Sequence, residues 1–456
     1  MTTPTSAMAT PPPPPSPPAA AAAPAAPSVP GPPGAAAPQA PQSASRAALQ
    51  GALAGTPGRL RGLAVLTVLA TLVFGLAAGQ AFRSANGALE RAAANSDQVV
   101  RIQAIQTNVV QADAVATNAF LVGGLEPATQ REAYTTAIAT ASGLIAEAAQ
   151  HQPADGAALA ALNTTLVSYA GQIELARANN RQGLPIGSQY LRAASADLRA
   201  EALPLLANLG EANDARVAEE FSRAGRALWW LVVPGLMALV VLGLALAWIA
   251  RRTRRYVNVP LAGAALVVLT TLVAGAVGLL AVKADVDDTR DGVYAATRSM
   301  AVVRTAGFDA KANESLTLIA RGSGAAFQEA WLASSEVVGA ELTNLEDNPA
   351  GGDLDPQLWA DYVAVHEEIR ALDDSGDWDG AVELATGTGD GTGNTTFAAF
   401  DEASAGELDA LSRQTANQLD ETGGWLPVAG VLGVLVGLLA AGLSWWGISQ
   451  RLEEYR

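Results

Sequence analysis

The sequence predicts an all-α membrane protein, with four transmembrane helices and two extracytoplasmic antiparallel four-helix bundles in tandem repeat. Three observations predict this fold class. Four apolar runs are long enough to cross a bilayer, the two long segments between them carry apolar residues at helical spacing, and the two halves match at a nearly constant offset. Half of the residues are hydrophobic but only 5% are aromatic, which is typical of helices that pack through small residues.

The four apolar runs are predicted to be transmembrane helices at 62–82, 227–250, 260–282 and 425–448. The first run could be a signal peptide with LAAG as its cleavage site. Because 61 residues precede it, we expect an uncleaved anchor instead. The spans contain no Asp, Glu, Lys or His, which argues against an ion or proton path through them.

Arginine residues beside the spans predict their orientation. Arg59 and Arg61 precede the first span, and RRTRRY lies between the second and third spans, so both regions are expected in the cytoplasm. The basic loop 251–259 and the stub 449–456 are then cytoplasmic, and 83–226 and 283–424 are outside. We therefore predict a multi-pass plasma-membrane protein with both termini in the cytoplasm.

Residues 1–58 form a Pro/Ala-rich segment that includes PPPPPSPP. Its composition predicts a disordered cytoplasmic tail, because it has too little apolar variety to bury a core. A docking tail for a Pro-recognising domain is the alternative.

The negative charge is concentrated in the second outer segment. Residues 83–227 hold 11 Arg against 14 acidic residues, whereas 283–424 hold 8 basic against 28 acidic residues. Such an acidic surface argues against nucleic-acid binding and favours a basic protein partner.

Matches between the halves indicate an internal duplication, because they keep their order at offsets of 193 to 199 residues. Asp113 matches Asp309, Tyr169 matches Tyr362, and EAY (132–134) matches EAW (329–331). In and beside the spans, Pro234 matches Pro427, and Ile249-x-x-Arg252-x-x-x-Tyr256 recurs as Ile448-x-x-Arg451-x-x-x-Tyr455.

Each outer segment is predicted to fold as four helices. Apolar residues from Val99 to Ala119 follow one another at steps of three and four, as in a packed helix. Breaks are expected at 123–124, 151–156 and 181–185, and in the second segment at 321–324, 346–356 and 387–393. The first and last helices of each bundle should continue into the membrane spans.

The sequence offers candidate residues for recognition and motion but none for catalysis. The predicted far tips of the bundles contain Gly123, Gly124, Glu126, Gly322 and Gly324. Pro234 and Pro427 are predicted hinges in the spans. The repeated Ile249, Arg252, Tyr256, Ile448, Arg451 and Tyr455 are predicted to dock a cytoplasmic partner, on two helix ends that lie side by side; basic stop-transfer anchors are the alternative.

Polar residues near the seam of the first helix of each bundle allow two interpretations. Asn118 and Asn313, with Asp113 and Asp309, could line an amino-acid pocket between helices. Alternatively, they face solvent or set the register of the helices.

Metal and catalytic chemistry is not expected. Cys is absent, and His151 and His366 are expected on helix surfaces or in solvent. The acidic DDSGDWDG (373–380) lacks the ligand spacing of a calcium loop, so an acidic turn before a helix explains it better. We expect no enzyme activity, no metal and no cofactor.

The order of these features resembles the four-helix sensor domains of bacterial chemoreceptors and sensor kinases. Each half has a glycine break, an EAY or EAW helix and a Tyr-bearing third helix, and the second half adds GDWDGAVEL (376–384). The tandem modules, the four spans, the Pro-rich N-terminus and the final R-x-x-E-Y-R are similar to actinobacterial GlnX-type membrane proteins over about 60–456.

The resemblance implies a sensor or adaptor for amino-acid availability. An extracytoplasmic solute-binding lipoprotein would deliver the signal, and the soluble Ser/Thr kinase protein kinase G would receive it inside, through helix motion. The expected partners are these two proteins, the lipid bilayer and a second copy of the chain, with no nucleic acid. A structural or assembly scaffold of an envelope complex is the alternative, followed by a transporter or channel.

Overall fold

The computed structural model describes residues 56–122, 126–253 and 258–453, and all secondary structure in these ranges is helical. The predicted all-helical class is therefore confirmed. The tail predicted for 1–58 lies almost wholly outside the described residues. The helices are α1 (Thr56–Val122), α2 (Ala128–His151), α3 (Gly156–Arg181), α4 (Ile186–Asp197), α5 (Leu203–Thr253), α6 (Val259–Thr289), α7 (Ala295–Ile319), α8 (Ala325–Asp347), α9 (Gln357–Ser375), α10 (Trp378–Thr386), α11 (Gly393–Gly423) and α12 (Leu426–Glu453).

Within the described ranges, four helical regions are long and apolar enough to cross a membrane, and they contain the four predicted spans. Their apolar parts share one core, which extends from Leu60 on α1 to Ile448 on α12. On the outside of this core, large apolar side chains such as Leu76, Leu244 and Leu438 are more than half exposed. An exposed apolar surface of this kind is typical of lipid contact, and it is consistent with a multi-pass membrane protein.

The apolar helices form a four-membered ring in which α1 and α6 each pack against both α5 and α12. The expectation that the inner ends of α5 and α12 lie side by side is wrong, because these helices occupy diagonal positions. The α1–α12 contact is close because glycines face each other: a Cβ added at Gly75 would lie 2.5 Å from the Gly437 Cα. Gly433, one helical turn before Gly437, packs against Ala78.

The long helices are interrupted in different ways. Helices α4 and α5 are joined by a π-helical turn, Leu198–Ala202, and α6 and α7 by another, Arg290–Tyr294, where Gly292 leaves the helical conformation. Pro234 lies inside α5. Pro427 lies instead in the first turn of α12, where proline breaks no helical hydrogen bond, and the chain interruption falls before it, at Gly424 and Trp425.

Beyond the apolar ring, the helices pack into two groups that we call bundle 1 and bundle 2. Bundle 1 consists of α1 beyond the ring with α2, α3 and the α4–α5 helix, around a core that includes Ile105, Leu162 and Tyr169. Bundle 2 consists of α7 to α11, around a core that includes Met300, Trp331 and Phe400. Helix α1 belongs to both groups, since Val110 and Ala114 pack into the core of bundle 2. Helix α1 therefore contributes residues to the cores of both bundles.

The helix ends fall close to the breaks predicted from the sequence. At the turn after α7, Gly322 has a φ of +80°, which favours glycine. Gly324 immediately precedes α8, where an added Cβ would lie 2.7 Å from the carbonyl oxygen of Thr317. Both predicted glycines are therefore required by the backbone of this turn. Gly123 and Gly124 lie outside the described residues.

Candidate functional site

The first feature of the interface between the bundles is an arginine that binds one carboxylate from each bundle. The Arg199 Nη1 lies 2.7 Å from Asp113 Oδ2, and its Nη2 lies 2.9 Å from Asp309 Oδ1. Asp113 also accepts hydrogen bonds from Tyr169 and Ser195, at 3.2 and 2.7 Å. Asp309 accepts from Ser334 and Asn313. We call this group the Arg199 bridge.

The π-helical turn after α4 contains Arg199, and such turns are frequent at functional sites because they change the register of a helix. Burial opposes the charge of this guanidinium, but the Asp113 and Asp309 carboxylates raise the pKa of Arg199 above its ordinary value. The two matched aspartates thus meet on one cation. Asp113 is buried and Asp309 is 23% exposed, and both carboxylates pair with Arg199, so the bridge is an electrostatic link between bundles.

A second link uses the other π-helical turn. Tyr294 donates a hydrogen bond of 2.7 Å to Asp214 of α5, and Arg298 forms an ion pair of 2.9 Å with the same carboxylate. Burial, followed by the hydrogen bond to Asp214, raises the pKa of the Tyr294 hydroxyl. Each bundle therefore supplies one π-helical turn to the interface.

A third link is a chain of amides at the ends of the bundles remote from the apolar ring. Asn118 Oδ1 accepts hydrogen bonds from Gln130 Nε2 of α2, at 2.8 Å, and from Asn394 Nδ2 of α11, at 3.2 Å. Asn118 is only 4% exposed. These residues line a cavity of about 270 Å³ between the bundles. Asn118 thus lines a cavity between helices, whereas Asn313 donates to the Asp309 carbonyl on its own helix. A pocket for an amino acid stays a prediction.

Bundle 2 contains a buried charged cluster that sequence reasoning missed. Glu314 accepts hydrogen bonds from Lys311 and Tyr362, at 2.7 and 3.2 Å, and its Oε2 lies 2.9 Å from His366 Nδ1. The His366 ring stacks on Trp331, with ring centroids 3.6 Å apart. Burial opposes ionisation, but Lys311 and His366 lower the pKa of Glu314 to about 2.

The predicted surface position of His366 is wrong, since this side chain is 1% exposed. Its seam position on α9, four residues after Tyr362, was the available signal, as was Lys311-x-x-Glu314 on an otherwise apolar helix face. His151, in contrast, is exposed as expected.

The remote end of bundle 1 holds a smaller ionic cluster around Glu126, a predicted tip residue. Glu126 pairs with Arg177 at 2.7 Å and with Arg131 at 3.4 Å. The Arg177 guanidinium lies 4.1 Å from the centre of the Tyr134 ring, in the EAY motif. Glu126, Arg131 and Arg177 line a cavity of about 210 Å³. The cluster ties the chain before α2 to α3.

At the opposite, apolar end, the predicted docking residues divide between core and surface. Ile249 and Ile448 are buried in the core of the ring, whereas Arg252 is exposed and Arg451 is half-buried. Tyr256 and Tyr455 lie outside the described residues. Asn258, which caps α6, donates a hydrogen bond of 2.6 Å to the carbonyl of Gly447, so it connects the predicted loop to α12.

The acidic segment before α10 has a structural explanation. Asp377 caps this helix by accepting a hydrogen bond from the Gly380 N–H. Within the ranges that the structure describes, no group of three or more His, Asp or Glu side chains could hold a metal ion.

One comparison with known proteins bears on this arrangement. The family model described as an actinobacterial sensor domain matches residues 88–222, which cover bundle 1 from the middle of α1 into α5. The comparisons with curated proteins and with solved structures gave no significant match. The match to a sensor-domain family, on helices long and apolar enough to cross a membrane, supports an actinobacterial sensor protein.

Proposed function

We propose that this chain is a plasma-membrane sensor that relays an extracytoplasmic signal to a separate cytoplasmic partner. The signal is amino-acid availability, delivered by a solute-binding lipoprotein, and the partner is a Ser/Thr kinase. The tandem four-helix repeat and cytoplasmic termini are part of the proposal. The chain itself is proposed to have no enzyme activity.

The continuity of the sensor domain with the spans is the observation that carries this proposal. Helix α1 runs from Thr56 to Val122 without interruption, so one rigid element joins the apolar ring to the remote end of bundle 1. The α4–α5 helix does the same on the return path, across the π-helical turn that contains Arg199. A change in how the bundles meet would therefore displace two helices at the inner side.

The interface supplies a means of coupling, because both bundles act on the same helices. The Arg199 bridge and the Asp214 contacts join the α4–α5 helix to bundle 2, and α1 packs on α7. A binding protein shifts such an arrangement only if it binds one geometry better than another. The acidic bundle 2 favours a partner with a basic face.

Recovery of partners from native membranes tests the proposal. The full-length chain is purified under mild conditions, with and without a mixture of the twenty amino acids in the buffer. We expect an extracytoplasmic solute-binding protein whose yield changes with the amino acids, together with a Ser/Thr kinase. Recovery of envelope-structure proteins alone, insensitive to any amino acid, would support the scaffold alternative and reject the sensor.

A pair of variants tests the inner docking residues. Arg252→Ala combined with Arg451→Ala should lower kinase recovery at least fivefold and leave the outer partner bound. The matched control combines Arg59→Ala with Arg61→Ala, which removes two exposed arginines at the start of α1. Equal loss in both double variants would show a general charge effect of the inner surface and not docking at the repeated motif.

A further inference from the structure

The cavity between the two bundles has walls from α1 and α2 on one side and from α7 and α11 on the other. We propose that it binds a small molecule that carries a carboxamide group, held by Asn118 and Gln130. The biological meaning of this site rests on the proposed sensing function, whereas the binding itself does not.

Besides Asp401 Oδ1, whose charge is paired with Arg304, two buried polar atoms of residues that line the cavity have no hydrogen-bond partner in the described part of the chain. They are the Nδ2 of Asn118, a donor, and the Oε1 of Gln130, an acceptor, and both are buried. Leaving a buried polar group unpaired costs about 1–3 kcal/mol, so two on neighbouring side chains need an explanation. Both residues line the same cavity of about 270 Å³, several times the volume of one water molecule at about 30 Å³.

The orientation of the amides follows from their neighbours. Asn394 Nδ2 donates to the carbonyl oxygen of Thr386 and to Asn118 Oδ1, so its nitrogen must face Asn118. Asn118 must then present its oxygen to Asn394, and Gln130 must present its nitrogen to that oxygen. Turning either amide would place like atoms in contact. The unpaired donor and the unpaired acceptor are consequences of this chain of bonds.

A carboxamide supplies the complementary pair of groups in one plane. Its carbonyl oxygen accepts from Asn118 Nδ2, and its N–H donates to Gln130 Oε1. A carboxylate has no proton to donate and would face the Gln130 oxygen with a negative charge. The charges in the wall need no counter-ion, since Lys311 is paired with Glu314 and Asp401 with Arg304.

The rest of the wall selects an apolar substituent. Val115 comes from bundle 1, and Phe308 and Phe397 come from bundle 2, with their ring centroids 5.1 Å apart. A short alkyl chain or an aromatic ring next to the amide would bury its surface there. Because the ligand would contact both bundles at once, its binding would favour the arrangement in which they stay joined.

Titration of the purified full-length chain with matched amides and acids tests the proposal. The probes are propionamide against propionate and benzamide against benzoate, followed by calorimetry or ligand-observed NMR. We expect each amide to bind saturably and at least tenfold more tightly than its acid. Equal binding of amide and acid, or binding of neither amide, would overturn the site and leave water as the occupant of the cavity.

Variants locate the binding. Gln130→Met removes the acceptor but leaves the Asn118–Asn394 bond, and Asn118→Ala removes the donor; each should weaken amide binding at least tenfold. Asn108→Ala is the matched control, because Asn108 lies on the same helix and bonds only to the Ala104 carbonyl in the described residues. Amide binding that persists in both test variants would overturn the assignment. Loss of the copurifying partners in native membranes, with amide binding retained, would reject the proposed function and not this site.

Discussion

The two bundles use related contacts in different surroundings. In each, the aromatic residue of the EAY or EAW motif stacks on a basic side chain of the third long helix: Tyr134 on Arg177 in bundle 1, and Trp331 on His366 in bundle 2. In each, the matched tyrosine donates to a carboxylate on the first helix. Tyr169 donates to Asp113, and Tyr362 donates to Glu314.

The difference between the bundles is whether the ion pair of this buried carboxylate stays within one bundle or extends to the other. Asp113 is balanced by Arg199 of the same bundle, and Arg199 also pairs with Asp309, so one cation of bundle 1 binds a carboxylate from each bundle. Glu314 is balanced within bundle 2 by Lys311 and is also hydrogen-bonded to His366, and the side chains of all three are no more than 5% exposed. An ion pair between the bundles couples their stability, whereas an ion pair within one bundle stabilises that bundle alone. Bundle 1 accordingly supplies the cation of the ion pair that links the two bundles.

The largest predicted loss of stability is in bundle 2. Glu314→Ala leaves Lys311 buried without its carboxylate, so we expect the free energy of unfolding to fall by about 3–5 kcal/mol. Hydrogen exchange of the full-length chain, followed by peptide, should show the loss in α7 to α11. Asp113→Ala is the matched variant in bundle 1, and it should act on both bundles because it frees one side of Arg199. A loss spread evenly over both bundles in Glu314→Ala would contradict the comparison.

A smaller effect should follow loss of the Arg199 bridge. Arg199→Gln removes two ion pairs from a partly exposed site, so we expect about 2–3 kcal/mol, with faster exchange in both bundles. A double-mutant cycle with Asp309→Asn measures the coupling between bundles.

Arg413→Gln is the surface control for this cycle. Its partner Asp409 and Arg413 itself are each about 70% exposed, so the change should stay within about 0.5 kcal/mol. A coupling energy near zero for Arg199 and Asp309 would remove the bridge as a link.

The glycine contact between α1 and α12 predicts a further steric effect. Gly437→Leu would force its side chain into the Gly75 backbone, so we expect destabilisation of about 1–3 kcal/mol, measured as a lower thermal unfolding temperature in detergent. Gly243→Leu is the matched control, since no atom lies within 4 Å of its added Cβ. Equal shifts for the two variants would show that the helices do not pack through this glycine contact.

The smallest effect concerns pH. Because the pKa of Glu314 is lowered to about 2 in the folded state, its contribution to stability is complete above the unfolded pKa, near 4.3, and is lost as pH falls toward 2. Between pH 5.5 and 3.5, the contribution should fall by about 1 kcal/mol. Chemical unfolding of the wild type and of Glu314→Gln isolates it, since the variant should lack this part of the acid sensitivity. Identical pH dependence would contradict the buried ionised state.

The local sequence pattern was sufficient to predict the helices and the candidate spans. Apolar runs near 20 residues identified the four candidate spans, and glycine-rich and proline-containing breaks marked the helix ends, because helix formation depends on neighbours three and four residues away. The same local pattern singled out Asp113, Asp309 and Asn118 as polar residues beside apolar seams. The local pattern did not indicate which side chains would bind these three residues.

The partners depend on distance in space, which local sequence does not encode. Arg199 is 86 residues from Asp113 and 110 from Asp309, and it meets them only because a π-helical turn rotates it out of the helix register. His366 was predicted at the surface although it lies at a seam position four residues after Tyr362, because spacing alone does not show whether a polar residue finds a buried partner. Its contacts with Glu314 of α7 and Trp331 of α8 exist only in the folded protein. Likewise, the diagonal arrangement of α5 and α12 depends on which helices pack together, including the glycine contact between α1 and α12.

The sequence by itself therefore determined an all-helical protein with four apolar spans and two helical segments between them. The tertiary structure decided that the segments share α1, that two aspartates meet on one arginine, and that an amide-lined cavity lies between the bundles. Periodicity specifies which face of a helix is buried, but the energy of pairing charges and filling gaps exists only once faces from distant parts of the chain are in contact.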